Sequence, residues 1–381
     1  MDVSRGGRET STAQIAAELA RQGADVTILC QAGSLGGSPV QLMELGARGR
    51  SRWKRMRNFI AAVADCARTG RFDVLHTMLP VPHAGIYQPR GGTVPAQLAA
   101  SLRRRQGASR LAAAITHPFN FCRRGLGRLE KRIATDPRTT CLCVSQMVAR
   151  EFQGYYGRRD GVSVVYNAVD MPDADDPRRS QWRSELRARL NVAQDDPVFL
   201  SIATNFALKG VAQTIAAFAL WRSTNGRRCD RQLIERSRLV VVGGRRYADR
   251  YHRLAQEHGL GQHVVFVPPT RDVLPWYAAA DACILLSWYD PCSRVVLEAT
   301  RWGIPSITTL FNGASEILCN GAGLVVDSPD STAAVAAAMD QLAQPAVRNR
   351  FSQSCLKAAP MLSIDRHVQQ LLEAYKRQTV R

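Results

Sequence analysis

From about residue 195 onward, short β-branched runs alternate with stretches whose apolar residues recur at helical spacing. Segments 198–203, 239–243, 264–267, 282–287, 305–309 and 323–326 read as strands, and 211–221, 248–258, 273–279, 294–302 and 332–343 read as the helices between them. Strands alternating with helices of this length predict a parallel sheet covered on both faces, a complete doubly wound α/β domain. The first half follows the same rhythm more loosely. Segments 24–30, 73–78, 139–144 and 163–166 read as strands, and a helix over 9–22 stops at Gly23, a natural C-terminal cap. A long, mostly helical stretch from about 95 to 133 interrupts the alternation. The run Asp173-Ala174-Asp175-Asp176-Pro177 breaks regular structure and places a domain boundary within 170–197.

Composition narrows the class. A chain of 381 residues with 45% apolar and 22% charged side chains is ordinary globular protein, long enough for two domains. No apolar run approaches the roughly 18 residues that cross a bilayer. The N-terminus lacks the apolar core of a signal peptide, so a cytoplasmic location is expected. Ten scattered cysteines, of which only Cys141 and Cys143 lie close together, then read as reduced thiols, with no metal site among them.

Charge changes the picture more. The formal net charge is +19, and residues 51–150 hold 18 basic and 4 acidic side chains. Arg103, Arg104, Arg105, Arg110, Arg123, Arg124, Arg128, Lys131 and Arg132 fall within thirty residues of the helical interruption. Such a stripe suits an anionic membrane surface, where each basic residue near the headgroups contributes about 1 kcal/mol. Nucleic acid would be attracted equally. The plainer reading is a solvated face in an arginine-rich chain, with 46 Arg to 5 Lys.

The strongest chemical signal is Tyr289-Asp290-Pro291-Cys292-Ser293-Arg294-Val295-Val296-Leu297-Glu298-Ala299, followed by Trp302-Gly303-Ile304-Pro305. It follows a buried strand and opens a helix. Asp290 with Pro291 predicts an N-cap and a proline at the first helical position, aiming free backbone N–H groups at an anion. Eight residues of helix at 1.5 Å each put Asp290 and Glu298 roughly 12 Å apart, comparable to a sugar diphosphate with its ribose. An ordinary cap and an exposed helix glutamate give the same spacing.

At these residues the chain resembles the glycosyltransferase family 4 enzymes of GT-B fold. Further segments agree: Gly6-Gly7-Arg8-Glu9, Val144-Ser145, Tyr166-Asn167-Ala168-Val169-Asp170, Lys209-Gly210, Val241-Val242-Gly243-Gly244 and Ala279-Ala280-Asp281. Within the family, Asn205-Phe206 ahead of Lys209-Gly210-Val211, the Asp290 segment and Tyr87-Gln88-Pro89-Arg90-Gly91-Gly92-Thr93 are most similar to the lipopolysaccharide core α-1,3-glucosyltransferase group.

The resemblance implies two Rossmann-like domains facing a cleft: an acceptor-binding domain over 1–180, a nucleotide-sugar domain over 190–358, and a last helix over 359–381 returning toward the first. It implies a retaining transfer, of glucose from UDP-glucose, to a lipopolysaccharide-core or similar lipid-linked glycan at the inner face of the plasma membrane, with no metal or other cofactor. Asp290, Lys209 and His117 take the catalytic roles. Lys209 would neutralise the departing diphosphate; a surface lysine at a helix start is the competing reading. Glu298 would accept from the ribose hydroxyls, and Asp290 with the N–H groups of Cys292, Ser293 and Arg294 would meet sugar and phosphates. Gly6 and Gly7 would let backbone approach the diphosphate, with Asn205 and Arg271 completing the donor side. Arg90, Arg103, Arg104, Arg123 and Arg124 would face acceptor and membrane. His117, like His76, is equally read as a structural histidine.

Three departures stand out. The first acid is Asp290 where the family usually has Glu, Leu208 replaces a common basic residue, and only five residues precede Gly6. The first strand of the N-terminal domain is therefore expected to be missing, or the start to lie upstream. A non-hydrolysing nucleotide-sugar 2-epimerase and a non-enzymatic basic binding protein remain as alternatives.

Overall fold

The computed structural model describes residues 7–35, 38–224, 231–244 and 248–379. The chain divides into two compact units, Met1–Asp170 with Leu362–Arg381, and Met171–Met361.

The N-terminal unit contains α1 (Gly7–Arg21), β1 (Thr27–Cys30), β2 (Gln41–Glu44), α2 (Arg52–Arg68), β3 (His76–Thr77), β4 (Ile86–Tyr87), α3 (Val94–Arg103), α4 (Gly107–Thr116), a 3-10 turn (His117–Phe119), α5 (Phe121–Ala134), β5 (Thr140–Cys143), α6 (Gln146–Tyr156) and β6 (Val162–Val164), and the C-terminal helix Ile364–Thr379 joins it. Strands β3-β4-β5-β6 form one parallel sheet in that order, and β1 pairs with β2 in a separate parallel pair. Local chemistry sets the helix starts: the hydroxyls of Ser51, Thr93 and Ser145 accept from the N–H of Lys54, Ala96 and Val148.

Two of these strands escape sequence reading. β2 (Gln-Leu-Met-Glu) has no β-branched residue and only its two central side chains are half-buried, while β4 is two residues long. Ile15 and Leu19 of α1 pack with Ile86, Leu142, Val165 and with Val368 and Leu371 of the C-terminal helix. Ile60 and Val63 of α2 form a second cluster with Leu126 and Leu129 of α5.

The C-terminal unit runs α7 (Arg178–Arg189), β7 (Val198–Ala203), α8 (Val211–Thr224), α9 (Arg231–Arg236), β8 (Arg238–Gly243), α10 (Ala248–Glu257), β9 (Val264–Val267), α11 (Leu274–Ala279), β10 (Ala282–Leu285), α12 (Arg294–Arg301), β11 (Ser306–Thr309), α13 (Ser315–Leu318), β12 (Gly323–Val326), α14 (Thr332–Ala343) and α15 (Pro345–Ala358). Helix α7 rises within 170–197, the stretch expected to hold the domain boundary, just after the breaking run 173–177. Its Arg187, 1% exposed, donates to the Asp281 carboxylate at 3.1 Å, and the same carboxylate oxygen accepts from Val198 N–H at 2.9 Å. The Asp281 of the Ala-Ala-Asp motif therefore ties α7 to the starts of two strands rather than meeting a ligand.

All six strands are parallel, in the order β12-β11-β10-β7-β8-β9. Alternate residues of β7 face opposite helix layers: Phe199 and Ala203 join Phe218 and Trp221 of α8, whereas Val198 and Leu200 join Tyr277 and Trp302. The chain steps outward from β7 to β9, returns to β10 and steps outward again to β12. Loops leaving the C-terminal ends of β7 and β10 thus diverge to opposite faces, and the crevice this opens is where open α/β sheets bind ligands.

Candidate active site

Lys209 and Asp290 stand on the two loops that flank this switch in strand order. The β7–α8 loop turns tightly: the Asn205 side chain accepts from Leu208 N–H at 3.1 Å and its carbonyl from Lys209 N–H at 3.0 Å. Gly210 completes the turn at φ +66°, and a Cβ there would lie 2.2 Å from the Leu286 carbonyl oxygen, so only glycine lets the two loops touch. Trp288 N–H donates to the Leu208 carbonyl at 3.0 Å, joining them. These contacts bring the Lys209 ammonium into an ion pair with the Asp290 carboxylate, their side chains 21% and 13% exposed.

Asp290 is held by backbone on the other side. Its N–H donates to the Phe311 carbonyl and its carbonyl accepts from Gly313 N–H, each at 2.8 Å, in a bridge with Asn312. Asn312 is fully buried, and its side-chain oxygen accepts from Ser293 N–H at 3.2 Å and Ala314 N–H at 3.1 Å. It is the site residue sequence spacing missed: it lies on the loop after β11, and only the register of β10 with β11 reveals its position.

Three expectations need correction here. Helix α12 starts at Arg294 with Ser293 at its N-cap, so Asp290 is not the cap and Pro291 is not its first residue. Asp290 and Glu298 therefore do not share one helix, and the rise-per-residue separation does not apply. The N–H of Ser293 is already taken by Asn312, so it is not free for a phosphate. Lys209, expected to neutralise the donor diphosphate, pairs here with the Asp290 carboxylate.

One turn into α12, Glu298 accepts from the Tyr277 hydroxyl at 2.9 Å and pairs with Arg294 at 3.4 Å. Burial raises its pKa, against the opposing pull of Arg294 and Tyr277. Tyr277, itself buried, is a second contributor absent from the motif. Cys292 and Ser293 are buried in the loop, 4% exposed each. Arg271 stands exposed between β9 and α11 and does not join the cluster. The site thus combines a cation, two carboxylates and a rigid loop, a set suited to an anionic ligand bearing hydroxyls.

The remaining expected residues lie in the N-terminal unit. Gly7 opens α1, whereas Gly6 lies outside the described residues, as does any strand before it. His117 sits in the 3-10 turn with Nε2 3.4 Å from the Ser101 hydroxyl, and burial together with Arg105 and Arg123 lowers its pKa. Arg90 is the clear correction: it is 8% exposed and donates to Ser11 at 2.6 Å and Asn167 at 3.1 Å, so it holds α1 to the chain beyond β6 instead of meeting a membrane. Arg103 and Arg124 are exposed, Arg104 and Arg123 half-buried.

Comparison with known proteins gives each half of the chain a family. Residues 5–172 match the model for Glycosyltransferase Family 4 and residues 183–357 the model for Glycosyl transferases group 1. The chain is 27% identical over 275 residues to a GDP-mannose-dependent alpha-(1-6)-phosphatidylinositol monomannoside mannosyltransferase of Mycolicibacterium smegmatis, covering 67% of this chain and 66% of that one. It is 25% identical to a D-inositol 3-phosphate glycosyltransferase of Xylanimonas cellulosilytica, covering 99% and 93%. With a second such glycosyltransferase, from Thermomonospora curvata, it aligns over only 54% of the relative's length.

Among solved structures it is similar to WaaG, a glycosyltransferase involved in lipopolysaccharide biosynthesis, with TM-score 0.76, 18% identity, and 97% and 95% of the chains covered. It also resembles Anabaena Alr3699/HepE in complex with UDP-glucose, with TM-score 0.69, 18% identity, and 98% and 96% covered. The chain is a glycosyltransferase of GT-B fold, its first half of the Family 4 type and its second of the group 1 type.

Proposed function

We propose that the protein transfers glucose from UDP-glucose, with retention of configuration, to a lipid-linked saccharide of lipopolysaccharide-core type at an anionic membrane face. The observation that carries the donor half of this reading is the Lys209–Asp290 pair at the switch in strand order, flanked by Glu298. On donor binding the Lys209 ammonium turns from Asp290 toward the diphosphate, where negative charge grows as the bond between the anomeric carbon and the phosphate oxygen breaks. Asp290, released, meets the sugar hydroxyls, and Glu298 accepts from the ribose. The acceptor oxygen bonds to the anomeric carbon on the same face, and its proton passes to the departing diphosphate, so no protein nucleophile is consumed. In the N-terminal unit His117, kept neutral, is the hydrogen-bonding candidate for the acceptor.

Support for UDP-glucose comes from HepE, solved with that donor. A second reading, mannosyl transfer from GDP-mannose, is favoured by the Mycolicibacterium relative. Thermal shift against UDP-, GDP- and ADP-sugars separates them: stabilisation by UDP-glucose alone supports the first, by GDP-mannose alone the second. With Lys209 supplying the charge, turnover is expected to survive EDTA, and its complete loss would overturn the metal-independent part of this reading.

A further inference from the structure

We propose that Tyr277 is a positioning residue for the glycosyl donor: its buried hydroxyl holds the Glu298 carboxylate in the orientation that accepts from two adjacent hydroxyls of the nucleotide's ribose. This rests on the reading of Glu298 as the ribose acceptor given above, and it assigns that orientation to a residue outside the Asp290–Glu298 segment.

Tyr277 lies on α11, 0% exposed, in a core cluster with Leu200, Val240, Ala299 and Trp302. Phenylalanine would fill that space without taking a hydroxyl out of water, a step that costs free energy unless the group is hydrogen-bonded. The hydroxyl is 2.9 Å from Glu298 Oε2 and 3.3 Å from the Val295 carbonyl oxygen, two acceptors on α12 for one proton. The ionised carboxylate is the nearer and the stronger, since bonds to a charged partner are roughly twice as strong as neutral ones. When Glu298 is protonated, its acid proton goes to the phenol oxygen and the phenol proton turns to Val295. Tyr277 is therefore satisfied in both states, but only the ionised state leaves Glu298 an acceptor throughout.

A carboxylate offers about four acceptor sites. Tyr277 takes one on Oε2, and the Arg294 guanidinium, at 3.4 Å, pairs with Oε1. Each oxygen keeps a further lone pair, and two adjacent hydroxyls of a furanose ring can use one each. The Glu298 side chain is 18% exposed, within reach of such a ligand, whereas the fully buried Tyr277 is not. Arg294 shares α12 with Glu298 and moves with it, so the bond from Tyr277 on α11 is a restraint that comes from a separate element. The groups facing Glu298 are Arg294 of α12, Tyr277 of α11 and Cys283 of β10, whose thiol is pushed up to about 12 by burial and then by Glu298. Of these, Arg294 alone is charged near neutral pH.

The test is Tyr277→Phe, which keeps the ring and removes one hydroxyl, read by kinetics with UDP-glucose and by titration with UDP and its dideoxyribose analogue. Losing a hydrogen bond to a charged group is expected to raise the donor KM roughly tenfold, with kcat within about twofold of wild type. The wild-type preference for UDP over the dideoxyribose analogue is expected to shrink by a similar factor. Because the Tyr277 bond favours the ionised carboxylate, the climb of KM on acidification is expected to begin at higher pH in the variant. In a Glu298→Gln background the same substitution is expected to add less than about twofold, since the group it orients is gone. An unchanged ribose preference, a KM curve raised alike at every pH, or the full loss repeated in the Glu298→Gln background would overturn the positioning role. Wild type binding UDP and the analogue equally would instead overturn the ribose reading of Glu298, so the two failures are told apart.

Discussion

Replacing Lys209 with Ala tests the donor site most directly. The ammonium is paired with Asp290 in a setting where the two side chains are only 21% and 13% exposed. Unit charges about 4 Å apart interact by about 4 kcal/mol at an effective dielectric near 20. The variant loses that attraction for the diphosphate and also leaves a carboxylate beside it, while the wild type must first give up its Asp290 contact. The net cost is then about 2–4 kcal/mol, in line with truncation of one partner of a covered charge pair. That corresponds to a fall of roughly 30- to 800-fold in affinity for UDP, and in kcat/KM if the role persists in the transition state. Isothermal titration with UDP reads the first and transfer kinetics the second. Removing Asp290 as well is expected to recover affinity by roughly tenfold, because the opposing carboxylate is gone. A Lys209→Ala protein binding UDP within about threefold of wild type would refute the reasoning.

Gly210→Ala meets both the φ of +66° and the Leu286 carbonyl at 2.2 Å; a loss of about 3 kcal/mol, or roughly 6–12 °C in Tm by calorimetry, is expected. Asn312→Ala leaves the buried N–H groups of Ser293 and Ala314 without their acceptor, and should lower stability by about 2–3 kcal/mol and raise the donor KM, by denaturant melts and kinetics. Because burial raises the Glu298 pKa, the folded state holds its proton to higher pH than the unfolded one. Stability should therefore fall as pH rises from the unfolded value of 4.5 through the folded one, and Glu298→Gln should flatten that limb of the curve. For the same reason the donor KM should climb on acidification at a higher pH than an ordinary glutamate would give, a shift visible in KM against pH and absent from the variant.

The legibility of this fold follows the burial of its strands. The six strands of the C-terminal unit were readable because their β-branched runs form the sheet interior, as with Leu239, Val240, Val241 and Val242, all at most 1% exposed. The N-terminal unit hides β2 and β4, whose pairing depends on tertiary neighbours rather than on intrinsic pattern. At the site, Lys209, Asp290 and Glu298 carried recognisable spacing, but which group faced which did not. A proline at 291 suggested a helix start that instead falls three residues later, because Asn312 from a distant loop claims the Ser293 N–H. Arg90 shows the opposite failure: a basic residue within a basic region, taken for surface, serves as an internal clasp between Ser11 and Asn167. Charge counted along a sequence does not reveal which guanidinium is solvated.

Because Leu362–Arg381 belongs with Met1–Asp170, the polypeptide leaves its first unit at Asp170, builds the whole of Met171–Met361, and only then supplies Val368, Leu371 and Tyr375 to the core begun at residue 15. On the ribosome, the first unit must wait, partly assembled, until the segment after residue 361 has been made. A gene fragment ending near codon 170 is consequently a poor candidate for soluble expression, whereas the uninterrupted middle segment is a natural one to produce and study alone.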